Sequence, residues 1–182
     1  MTTPRIAPLE PPYEPAVGAE LAAMMPPGVD PIRLFRTLAR NPRVLSKVRL
    51  GNLLDRGSLS QRDREIVILR TTARCGAEYE WGIHVTVFSK RVGLTEAQVA
   101  ATATGADAEG LWSPSDRALL RLVDQLHAGA DLEDGLWQEL RAHFDEAQLI
   151  ELVVLAGFYH TISFVVNALR IEAEPLAARF PG

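Results

Sequence analysis

Nine of the twelve prolines lie within residues 1–42, and five of those lie within residues 4–15. Each proline removes a backbone donor and fixes φ, so no helix or central strand tolerates that density. Residues 1–15 are therefore expected to form an extended arm that stays loose or crosses to a neighbouring subunit, with 16–182 as one folded domain. Beyond the arm, Pro31, Pro42 and Pro114 stand where a proline suits the first turn of a helix.

Helix punctuation then continues along the chain. The spacing predicts helices over 16–25, 31–40 and 42–55, the first stopped by Pro26-Pro27-Gly28 and the third closed by Gly57. Ser60-Gln61-Arg62-Asp63 reads as a capping box for a helix to Arg74, interrupted by Gly76, with the next helix over 77–92 ending at Gly93. Thr95-Glu96-Ala97-Gln98, Ser113-Pro114-Ser115-Asp116 and Asp145-Glu146-Ala147-Gln148 cap helices reaching about 104, 128 and 170, with a further helix over 134–143. Pairs such as Val153-Val154 and Val165-Val166 occur without strand alternation. The expected fold class is all-α, a single-domain helical bundle.

An apolar share of 47% in 182 residues supports a core without staples. The net charge of −4 argues against a general nucleic-acid or anionic-membrane binder, which needs a basic surface. One cysteine, Cys75, excludes an internal disulfide framework and a Cys-rich metal site. No run of eighteen apolar residues is present, and Met-Thr-Thr-Pro-Arg opens no apolar leader, so a cytoplasmic protein is expected. Phosphate loops, G-x-S-x-G, H-E-x-x-H and C-x-x-C are all missing.

Of four histidines, His127 and His143 fall near predicted helix C-termini, where a cation suits the dipole. His84 differs. Its helical neighbours are Glu80, Trp81, Val87 and Phe88, so its face points inward and carries a carboxylate one turn away. Upstream, Glu65 precedes the apolar run Ile66-Val67-Ile68-Leu69. Two carboxylates and an imidazole on inward faces make either a proton-transfer constellation or a structural ion network. In the network, Glu65 would pair with Arg62 or Arg70, and Glu80 with His84.

Residues 59–103, from Leu-Ser-Gln-Arg-Asp-Arg-Glu-Ile-Val-Ile-Leu-Arg through Cys-Gly-Ala-Glu-Tyr-Glu-Trp-Gly-Ile-His to Gly-Leu-Thr-Glu-Ala-Gln-Val, resemble the carboxymuconolactone decarboxylase family, which includes the alkylhydroperoxidase D branch. Gly157-Phe158-Tyr159-His160 and Asn167-Ala168 are similar to that family's closing helix. Peroxidase members carry a Glu, eleven residues, then Cys-x-x-Cys-x-x-x-His. Laid on this chain, the Glu falls on Glu65 and the His on His84, while the cysteine positions fall on Ala77 and Glu80. The resemblance implies the helical scaffold and a trimer or hexamer. The missing thiols argue against dithiol peroxidase chemistry. Cys75 lies two residues before Ala77, where it could approach a helix N-terminus, but it has no resolving partner and reads as a packing residue.

The decarboxylase branch is described as cofactor-free and acts on a carboxylate-bearing lactone. The resemblance therefore implies a lyase on a small organic acid or lactone, with Glu65, Glu80 and His84 catalytic and no cofactor. His84 would be general acid/base, Glu80 would orient it or share its proton, and Glu65 would be the second carboxylate. Arg70 and Arg74 are candidates for a cation holding the substrate carboxylates. Tyr79, Trp81, Phe158, Tyr159 and His160 are candidate walls, with Tyr159 and His160 able to add a polar contact. A metal on Glu65, Glu80 and His84 is not expected, because the Glu-x-x-x-His spacing has no second pair. The rivals are a peroxidase dependent on Cys75 alone and a catalytically silent oligomeric scaffold. The predicted helix at 149–169 is apolar nearly all round, which points to a homo-oligomer. The expected partners are a small-molecule substrate and further copies of the chain.

Overall fold

A computed structural model describes residues 3–182. Nine α-helices follow in order, and no strand occurs among the described residues: α1 (Pro15–Ala23), α2 (Arg33–Leu38), α3 (Pro42–Gly51), α4 (Gln61–Arg74), α5 (Glu78–His84), α6 (Glu96–Thr104), α7 (Pro114–Gly129), α8 (Asp134–Arg141) and α9 (Glu146–Ala168). The all-α expectation holds. The capping residues do what their sequence spacing requires: Ser60, Thr95, Ser113 and Asp145 each accept a hydrogen bond from the backbone amide three residues on. At Thr95, Ser113 and Asp145 the bond is reciprocated, completing capping boxes.

Helix α4 is the axis of the bundle. It packs against α5, α6, α7 and α9, so every residue from Arg64 to Thr72 is buried. Ile66, Val67, Ile68 and Leu69 meet Leu119 and Leu122 of α7 and Leu152 and Leu155 of α9 in the main core. Burying each such side chain contributes about 1.5–3 kcal/mol. A second core joins Val17, Leu21, Leu34, Leu38 and Leu45 of the N-terminal helices to Ile162 and Val166 of α9.

The predicted helix over 77–92 is shorter in the structure. After His84 the backbone passes into a π-helical turn, Val85–Ser89. The arm lies along its own chain. Arg5 N–H donates to the Leu169 carbonyl, Leu9 N–H to the Arg36 carbonyl, and Arg36 pairs with Glu10 at 2.6 Å.

Two backbone features place α5. Gly76, at φ +61°, turns the chain sharply after α4, so α5 folds back on it. A C-terminal strap then crosses α5 on its other side. Ala178 N–H donates to Thr86 Oγ1 (3.0 Å), Phe180 N–H donates to Glu78 Oε1 (3.0 Å), and the Phe180 ring packs on Trp81. The strap approaches so closely at Gly82 that a Cβ there would collide with the Ala178 carbonyl.

Helix α9 is long and apolar enough to cross a membrane, yet 44% of that apolar window is buried inside the bundle. Its opposite face leaves Ile150, Val153, Val154 and Phe164 exposed.

Candidate active site

The fold-back of α5 on α4 brings together side chains nineteen residues apart in sequence. Glu65 points from the middle of the central helix and is fully buried, and His84 is 3% exposed. His84 Nδ1 lies 2.7 Å from Glu65 Oε2. The other ring nitrogen, Nε2, lies 3.1 Å from the Tyr159 hydroxyl and 3.5 Å from Glu80 Oε1. Phe88 stacks at 5.2 Å on the imidazole, and Tyr159 meets it edge-on. Four polar side chains from α4, α5 and α9 thus converge in a nearly dry space.

Burial opposes a charge on the imidazole, but the adjacent Glu65 carboxylate, through charge and hydrogen bond, and then Glu80 outweigh it and raise the His84 pKa from 6.5 to about 9. His84 is therefore an imidazolium at neutral pH. With both ring nitrogens protonated, Nδ1–H donates to Glu65 and Nε2–H to the Tyr159 oxygen. Burial, followed by the charges of Glu80 and Glu65, pushes the Tyr159 hydroxyl well above its ordinary range, so it stays protonated. Glu80 Oε2 is buried and has no hydrogen-bond partner among the described residues. A carboxylate oxygen left in that state is costly, and it is a natural place for a substrate donor.

Sequence reasoning missed Arg64. Its Nε sits 3.5 Å from Glu65 Oε1, and its guanidinium donates to the Leu54 carbonyl at 2.9 Å. The signal was weak, because an arginine in the first turn of a helix ordinarily reads as solvated. Glu65 thus pairs with His84 and Arg64, not with Arg62 or Arg70.

Five of the other proposed substrate-binding residues lie elsewhere. Arg70 is held by both oxygens of Asp124 (2.8 and 2.9 Å) and donates to the Thr102 carbonyl, because a buried guanidinium needs its donors filled. Arg74 also lies against Asp124. The Tyr79 hydroxyl accepts from Leu34 N–H and donates to Glu174, tying α2 to the strap. Trp81 sits about 100° around α5 from Glu80, and donates to Thr102 Oγ1 at 3.0 Å. His160, one residue past Tyr159, turns likewise to another face of α9, where its Nδ1 lies 2.9 Å from the Ala156 carbonyl oxygen. Cys75 caps the C-terminus of α4 instead of approaching a helix N-terminus, and burial pushes its thiol up.

The profile of the carboxymuconolactone decarboxylase family matches residues 42–125, the span that carries Glu65, Glu80 and His84. Over that span this chain is similar to the carboxymuconolactone decarboxylase family. Solved structures extend the likeness over the rest of the fold. The debrominase Bmp8 superposes with a TM-score of 0.77 at 14% identity, covering 94% of this chain and 92% of that one. The alkylhydroperoxidase AhpD core protein from Ralstonia eutropha, described as peroxidase-related, gives 0.76 at 18% identity and 93% of each chain. A peroxidase-related protein from Silicibacter gives 0.76 at 15% identity and 96% of each. No curated protein sequence matches significantly. Against the superfamily's dithiol pattern, the first thiol position holds Ala77, fully buried in the second core, and the second holds Glu80.

Proposed function

We propose that this chain is a carboxymuconolactone decarboxylase-like protein and an acid–base enzyme of the decarboxylase or lyase type, acting on a small organic acid or lactone. One observation carries the reading: where a dithiol enzyme would have its second thiol, Glu80 places one oxygen 3.5 Å from His84 Nε2 and the other, buried, without a partner. The Nε2 proton of the imidazolium, beside Glu80, can be passed to a substrate carbon, and Glu65 stabilises the positive charge on the ring. In a decarboxylation, the bond to the carboxylate carbon breaks and carbon dioxide leaves. The electron pair spreads into the unsaturated system, and the proton from the Glu80–His84 pair ends on the remote carbon. The site's own cation is His84, with Arg64 behind Glu65. Side chains carry every proton transfer here without an organic cofactor.

Thiol chemistry is less favoured, since Ala77 and Glu80 supply no sulfur and Cys75 has a raised pKa. Two assays on the purified chain separate the readings. Turnover of unsaturated lactones or β-keto acids supports the lyase. Reductant-coupled hydroperoxide turnover that vanishes in Cys75→Ser would overturn it.

The working form proposed is a cytoplasmic homo-oligomer, a trimer or hexamer. Support comes from the outward face of α9, where Ile150, Val154 and Phe164 are each more than half exposed. Light scattering at micromolar concentration should give a multiple of the 20.0 kDa chain mass, and a 20.0 kDa species would contradict this.

A further inference from the structure

A second cluster of chemistry-bearing side chains lies on another face of α9 and has no part in the acid–base site. Cys75 at the end of α4, His127 in the last turn of α7 and His160 in the middle of α9 bring one ligand-type atom each within 4.8 Å of one another. Cys75 Sγ is 3.8 Å from His127 Nδ1, which is 3.0 Å from His160 Nε2. In a tetrahedral zinc site with ordinary bond lengths, sulfur and nitrogen stand about 3.6 Å apart and two nitrogens about 3.3 Å apart. Those two separations therefore already lie within a few tenths of an ångström of those a single ion would impose.

The surroundings fit the same reading. His160 Nδ1–H donates to the Ala156 carbonyl, which fixes the tautomer and leaves Nε2 as a bare lone pair aimed at the cluster. A backbone carbonyl holding the far nitrogen is the usual outer partner of a metal-bound histidine. The Cys75 backbone is fixed as well, its carbonyl accepting from Asn167 Nδ2 at 2.8 Å. All three residues are partly exposed, so an ion can enter. Asp124, one turn before His127, is not available as a fourth ligand, because Arg70 and Arg74 occupy it. These ligands come from three helices far apart in sequence, which is why the sequence carried no metal motif.

We propose that Cys75, His127 and His160 form a mononuclear site for a thiophilic divalent cation, with zinc the best match, and that the fourth coordination position is left to water. One thiolate and two imidazoles suit zinc over magnesium or calcium, which prefer oxygen. Binding releases one proton, that of the Cys75 thiol. The His127 ring proton moves from Nδ1 to Nε2 without being lost, and the ion takes both nitrogen lone pairs and the thiolate.

The test uses the untagged full-length chain, stripped with chelator and titrated with Co²⁺ and then Zn²⁺. One equivalent of Co²⁺ should produce a thiolate-to-cobalt charge-transfer band, which Zn²⁺ abolishes. Cys75→Ser should lose the band. His127→Gln and His160→Gln should each weaken Zn²⁺ binding at least about tenfold, the lower end of the loss seen on removing even an outer partner. His143→Gln, outside the cluster, should bind as the wild type does. Circular dichroism verifies that each variant is folded. A Co²⁺ complex without the sulfur band, a band that survives Cys75→Ser, or wild-type Zn²⁺ affinity in folded His127→Gln or His160→Gln would each overturn the proposal.

Discussion

Replacing Glu80 with glutamine should lower turnover about 10²–10⁴-fold, the usual share of a positioned general acid, and leave stability within about 1 kcal/mol of the wild type. The two effects separate because Glu80 is poorly used by the fold. One of its oxygens has no hydrogen-bond partner among the described residues, and its contact with His84 is long at 3.5 Å. Glutamine keeps the volume but removes the carboxylate charge beside His84 Nε2. The comparison is made on whichever lactone or β-keto acid the wild type consumes, with a denaturant melt of each protein alongside. The pH–rate profile of the variant should lose one limb of the wild-type bell. Full turnover in a folded Glu80→Gln protein would remove Glu80 from the chemistry.

Glu65→Gln should behave in the opposite way, with stability as its main casualty. The Glu65 carboxylate is fully buried between the His84 imidazolium at 2.7 Å and the Arg64 guanidinium at 3.5 Å. Neutralising it strands buried positive charge, a loss on the order of 3–5 kcal/mol, or about 10 °C or more in Tm for a chain of this size. The pH dependence provides a second reading of the same pair. Unfolded, His84 releases its proton near 6.5, whereas in the folded chain it holds it to about 9. Between those values the folded state binds more protons, so its stability is complete below pH 6.5 and drains away as pH rises toward 9, by about 3 kcal/mol. Glu65→Gln and His84→Gln should each flatten that slope. A wild-type stability that stays level from pH 6.5 to 9 would mean that the ring is neutral in the folded chain.

Much of the fold was legible because helix ends are written locally. Ser60, Thr95, Ser113 and Asp145 satisfy amides three residues away, and a contact that close in sequence can be read from the sequence. The inward faces of Glu65 and His84 were legible for the same reason, through the apolar residues beside them. The rest depends on rotation about helix axes and on distant partners. Tyr159 and His160 are adjacent, yet about 100° of helical rotation sends one to His84 and the other to His127. Tyr79 and Arg70 face Glu174 and Asp124, 95 and 54 residues away, and nothing near either residue announces that partner. The π turn after His84 is a change in hydrogen-bond register, where the Thr86 and Ser89 hydroxyls each donate to the carbonyl four residues earlier.

The strap over α5 has a kinetic consequence. The main core is closed by apolar packing of α4 on α7 and α9, an attraction that needs no exact register to begin. Helix α5 is different: it is clamped by Phe180 and Arg179 on Glu78, and by Ala178 on Thr86, across loops of 92 to 102 residues. Closing loops of that length carries a larger entropic cost than pairing adjacent helices. Glu80 and His84 sit on the helix that this strap holds, so their final register is expected to wait on the strap as well as on the turn at Gly76. On the way out they are among the first to come loose, so catalytic competence should decay before the helical signal does.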